Sequence, residues 1–114
     1  MGPFLQVGGR WEMVQRNGFR VLVDISQDQD RLSASASHSG GSVQSLTAVG
    51  SVRGPNFEIV ITWNDGTKGK YTGVLSHGPF TPPPLGFLKG DTVDLDHPGS
   101  RSTWESEGRV FQVA

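Results

Sequence analysis

A chain of 114 residues with ten basic side chains, eleven acidic ones and no cysteine has the length of one domain, residues 1–114 taken together. The near balance of charge provides no field to draw in a polyanion or an anionic bilayer, so nucleic acid and membrane are not expected partners. The missing cysteines exclude disulfides, thiolate catalysis and thiolate zinc sites, and no apolar run approaches the ~20 residues of a membrane span.

No stretch of ten residues repeats its apolar side chains at the helical period, whereas period-two alternation recurs along the chain. The first strand is predicted over residues 9–16, with Trp11 and Met13 on one face and Arg10, Glu12 and Arg16 on the other. Asn17-Gly18 is read as a two-residue hairpin turn. Phe19, Val21, Val23 and Ile25 then alternate with Arg20, Leu22, Asp24 and Ser26 until the run of residues 27–30 closes the second strand. Arg31–His38 places Leu32, Ala34, Ala36 and His38 on one face and three serines on the other. The sequence His38-Ser39-Gly40-Gly41-Ser42 reads as a flexible loop. A weaker strand is expected over 43–52, then the strong alternation of Phe57, Ile59, Ile61 and Trp63. Asn64-Asp65-Gly66 turns the chain, and 67–75 returns with Thr67, Gly69, Tyr71 and Gly73 in phase. The run SHGPFTPPP is the one long irregular connection, because proline cannot donate to a ladder. Strands over 85–94 and 101–113, the last bent at Gly108, bring the total to eight.

Eight strands joined mainly by hairpin-length turns predict an all-β fold, an eight-stranded antiparallel up-and-down β-barrel. Such a barrel has no exposed edge, and its interior is either filled by side chains or holds one small ligand. A two-sheet β-sandwich is the competing architecture.

Several segments are similar to the avidin and streptavidin family. Gly9-Arg10-Trp11 matches that family's opening strand, RLSASASH the texture of its third strand, and FEIVITWND a strand ending in Trp before a hairpin. Tyr71-Thr72-Gly73 and STWESEGRVFQV complete the order. The resemblance implies a barrel with Trp63 and Trp104 as pocket aromatics, Trp104 reaching towards a neighbouring subunit, and His38 at an inward hydrogen-bonding position. Phe87 would stand for another family Trp. Met13 and Asn17 replace the polar ligands of the first strand, Ala36 replaces a tyrosine and Gly69 a hydroxyl. The resemblance therefore implies the scaffold and a pocket, with a site that does not match one for biotin.

The candidate ligand-binding residues are Trp63, Tyr71, Phe87, Trp104, His38, Thr67 and Asn17. The inward positions Ala34, Ala36, Ala48, Gly50, Gly69 and Gly73 are small, and we expect them to leave a dry cavity beside the aromatics, closed by the loop after His38. Neither a metal nor a cofactor is called for. Asp91, Asp94, Asp96 and His97 match no known metal loop and read as turn residues. The expected function is non-catalytic binding of a small organic ligand in the barrel. A carbohydrate-binding lectin and a small barrel cyclase or isomerase are the alternatives. Catalysis ranks lower because Asp24 and Glu58 alternate outward and the face of Asp94 is undetermined. The uncharged serine face and outward Leu22 and Val60 point to a homodimer or homotetramer. No signal-peptide pattern opens the chain, so the compartment is either cytoplasmic or extracellular after processing.

Overall fold

The computed structural model describes residues 4–38 and 43–114. Its strands are β1 (Gly9–Gln15), β2 (Arg20–Asp28), β3 (Arg31–His38), β4 (Ser45–Arg53), β5 (Asn56–Trp63), β6 (Lys68–Ser76), β7 (Phe87–Asp94) and β8 (His97–Glu107). Each pairs antiparallel with the next, and β8 returns to β1, closing an up-and-down barrel. The period-two pattern does this work. In β5, Phe57, Ile59, Ile61 and Trp63 are buried while the residues between them are half-buried. A helix would spread those four side chains around its circumference and leave half of them in water.

Three details of the strands differ from the expectations above. The β1–β2 turn has three residues, Arg16-Asn17-Gly18, closed by the Gln15 amide donating to the Phe19 carbonyl, and only Gly18 of them takes positive φ. Second, β2 continues through the first half of the polar run before ending at Asp28, and the turn falls on Gln29-Asp30. Gln27 remains in the strand because its side chain accepts from the Val7 amide and donates to the carbonyls of Leu5 and Gln29. Third, β8 starts at His97, earlier than expected, and ends at Glu107. Beyond the positive-φ Gly108 the chain turns across the barrel end.

One end of the barrel is sealed by the two terminal segments. Phe4 and Ala114 exchange backbone hydrogen bonds, Gln6 donates to Gln112, and Phe111 exchanges two with Gly86. This small ladder carries Leu5, Val7 and Phe111 inward, where all three are fully buried. Directly inside, Trp11 meets Phe111 edge-on at 4.9 Å and Phe57 at 5.7 Å, and stacks on Trp104 at 6.2 Å.

The middle of the barrel is filled, which corrects the expected dry cavity. A Cβ on Gly73 would lie 2.8 Å from the Trp104 indole, so the space this glycine leaves belongs to the ring. At Gly50 the same atom would strike the Glu58 carbonyl at 2.0 Å, because β5 passes that close. These two glycines thus admit a large neighbour and a close strand, and the volume they leave is consumed.

Candidate functional site

Space remains at the other end, where the β1–β2, β5–β6 and β7–β8 turns gather. A mouth of about 200 Å³ opens there. Its floor is a layer of residues fixed by strand register. Tyr71 pairs with Thr92 and Thr92 with Ser102, so the three side chains share the inner face of β6, β7 and β8. Gln15 of β1 donates to the Tyr71 hydroxyl at 2.8 Å. Burial raises the Tyr71 pKa, while its hydrogen bonds to Thr92 and Gln15 oppose that shift. The phenol is therefore a neutral group that both donates and accepts.

One layer further out, Gly69 pairs with Asp94. A Cβ on Gly69 would point at the Tyr71 ring (3.2 Å) and the Trp63 indole nitrogen (3.8 Å). Cross-strand partners share a face, so the Asp94 carboxylate also lies on the inner side. It accepts from the Asp96 amide at 2.9 Å and meets His97 Nδ1 at 3.4 Å.

Opposite stands an aromatic side. Trp63 is held by the three-residue turn Asn64-Asp65-Gly66, in which the Trp63 amide donates to the Thr67 carbonyl and Gly66 takes positive φ. The β1–β2 turn has the same construction. In each, an Asx oxygen accepts from the amide two residues on: Asn17 from Phe19 at 3.2 Å and Asp65 from Thr67 at 3.0 Å. The Thr67 hydroxyl adds a second bond to Asp65, at 2.7 Å. These bonds hold the Asp65 carboxyl below its ordinary range. His38 stands edge-on to Trp63 at 4.4 Å, with Phe19 beyond it at 5.3 Å. Desolvation lowers the His38 pKa and nearby Asp65 partly restores it, so the imidazole is neutral at pH 7.

The three tryptophans are not equivalent. Trp11 Nε1 donates to the Val7 carbonyl at 3.0 Å, and Trp104 Nε1 to the carbonyls of Thr72 and Asp91, both at 3.1 Å. Trp63 Nε1 makes no hydrogen bond among the described residues, and a Cβ on Gly69, which lines the mouth with Trp63, would lie 3.8 Å from it. Although only 4 % of Trp63 is exposed, the indole N–H opens onto the mouth beside Gly69.

Of the seven residues singled out in the sequence, Trp63, Tyr71, His38, Thr67 and Asn17 line the mouth. Trp104 and Phe87 do not. Trp104 lies inside its own barrel beneath Tyr71, 6.4 Å between ring centroids and with 1 % exposure. The inward face of β7 belongs to Leu88 and Thr92, which turns Phe87 outward beside Gly78. Sequence reasoning missed Gln15, Thr92, Asp94 and Ser102. For Gln15 and Thr92 the signal was present: they continue the alternation of Trp11 and Met13 and of Leu88 and Gly90. The loop expected to close the pocket falls on 39–42, outside the described residues. No protein-family model and no curated protein matches this chain.

Proposed function

We propose that this protein is a non-catalytic binding protein that takes a small organic ligand at the open end of its barrel. The observation that carries the reading is the Trp63 indole N–H, which faces the mouth with no partner among the described residues while the other two indoles are satisfied by backbone. A buried tryptophan ordinarily finds an acceptor, and a donor left open beside a cavity is what a ligand's oxygen or nitrogen would use. The neutral phenol and amide below and the aromatic side above suit orientation of a ligand better than bond-breaking. The closed eight-stranded barrel with Trp63 at its rim also supports kinship with the avidin scaffold. The test is retention: native mass spectrometry of protein purified from its source should carry a bound small molecule that Trp63→Ala loses. A wild-type protein that retains nothing, and whose tryptophan fluorescence no small probe quenches, would defeat the reading.

Self-association belongs to the same proposal. The outer face of β3 and β4 presents Ser33, Ser35, Ser37, Thr47 and Ser51 around exposed Val49, with charge only at one end, in Arg31 and Arg53. Sedimentation should give a dimer or tetramer that Val49→Lys dissociates; a wild-type monomer at high micromolar concentration contradicts it.

A further inference from the structure

Resting on that reading of the mouth as a binding site, we infer that its ligand is a small neutral polyhydroxylated ring, a monosaccharide or a polyol of similar size. In an eight-stranded ring β3 stands opposite β7, and β5 opposite β1. The mouth is divided accordingly. His38 of β3 and Trp63 of β5 form one side with exposed Phe19, and Thr92, Asp94, Ser102 and Gln15 form the other. A pyranose has this same division, an apolar patch of C–H bonds on its face and hydroxyls around its edge.

The polar side offers hydroxyls and an amide, which both donate and accept, and one carboxylate, which only accepts. A sugar hydroxyl also does both, so it can donate to Asp94 and accept from Trp63 Nε1. A purely apolar ring would leave these groups without partners, a strong penalty against such a ligand. Lys68 and Arg101 also line the mouth, but from strand positions that alternate outward, with Arg101 Nε donating to the Pro98 carbonyl; the carboxylate already present in Asp94 therefore weighs against an anion. A quaternary cation is disfavoured because a cage needs several open ring faces, whereas Trp63 is covered by His38 and Phe19 alone is largely exposed. Size agrees as well. About 200 Å³ is below the range of drug-sized pockets, roughly 300–1,000 Å³, and suits one ring.

The experiment is saturation-transfer NMR with calorimetry on the full chain. The probes are the methyl glycosides of glucose, galactose and mannose, with indole and tetramethylammonium as comparators. At least one glycoside should bind, and Asp94→Asn should weaken it about tenfold through loss of a charge-assisted hydrogen bond. That variant keeps the oxygen that accepts from the Asp96 amide, so its melting temperature reports whether the turn survives. Asp96→Asn, on the exposed side of the turn, should leave affinity unchanged. Glycoside binding that Asp94→Asn does not alter would overturn the inference. Binding of indole or tetramethylammonium with no glycoside would also overturn it, while leaving the binding site in place. If none of the probes bound, the site and the inference would fall together.

Discussion

The two ends of this barrel are built from the same alternating strands, yet they finish in opposite ways. At the sealed end the terminal segments pair with each other, place Leu5, Val7 and Phe111 in the opening, and Arg109 lies over the Phe111 ring at 5.0 Å. The tryptophan at that end, Trp11, has its indole N–H bonded to a backbone carbonyl. At the open end no such plug stands among the described residues, hydroxyls and an amide form the floor, and the tryptophan keeps its donor turned to the mouth. The same residue type is thus packing in one place and, in the proposed role, a contact surface in the other. Burial does not separate the two roles, because Trp11 and Trp63 are both nearly inaccessible. The satisfaction of the polar atom does.

The sharpest way to break this comparison is to truncate a tryptophan at each end. Trp11→Ala leaves a closed void beside Phe57, Phe111 and Trp104, and chemical denaturation should show a loss of about 3–5 kcal/mol. Trp63→Ala should cost about 2 kcal/mol, since its void joins a mouth that water can enter and the penalty for an empty cavity is relieved. Equal losses at the two ends would contradict the assignment of roles. A third substitution tests the claim that the middle is full: Gly73→Ala pushes a methyl group to 2.8 Å from the Trp104 ring and should destabilise by about 1–3 kcal/mol. A neutral or stabilising effect would mean that space remains there.

The smallest expected effect is a pH dependence confined to the open end. Burial lowers the folded-state pKa of His38 below its ordinary value of 6.5. The unfolded chain therefore takes up the proton first, and folding pays for the difference. This contribution to stability is intact above about pH 6.5 and is lost as pH falls towards the lower folded value. Thermal melts from pH 7.5 down to 5 should show a modest decline that His38→Gln flattens. A decline that persists unchanged in the variant would exclude His38 as its source.

Much of the fold was legible in the sequence because strand alternation is local. Phe57, Ile59, Ile61 and Trp63 declare an inner face without reference to any other segment, and the Asx-Gly pairs declare the turns. The terminal plug was not legible, because Leu5 is buried by pairing with Val113 at the other end of the chain and Phe111 by pairing with Gly86 in the irregular connection before β7. Phe87 was misleading for a related reason. In β7 both faces carry apolar residues, Phe87 and Val93 on one and Leu88 on the other, so alternation alone does not choose between them. The choice is made by Leu88, which is buried and whose amide donates to Ser106 inside the barrel. The small inward residues misled in another way: a glycine in the sequence does not say whether its missing side chain leaves a void or admits a neighbour, and Trp104 decides that at Gly73. At the site, Trp63, Tyr71 and His38 were legible as inward aromatics. That the Trp63 indole nitrogen finds no partner among the described residues was not, since it depends on which carbonyls lie near, and those belong to other strands.

The most direct test is hydrogen exchange of the three indole N–H groups, followed by nitrogen-edited NMR and assigned with Trp63→Phe. Exchange reads the access of each donor to water without any knowledge of the ligand. The account predicts two slowly exchanging signals, from Trp11 and Trp104, and one fast signal from Trp63. Three signals protected alike would contradict it, because Trp63 would then be a plug of the same kind as Trp11.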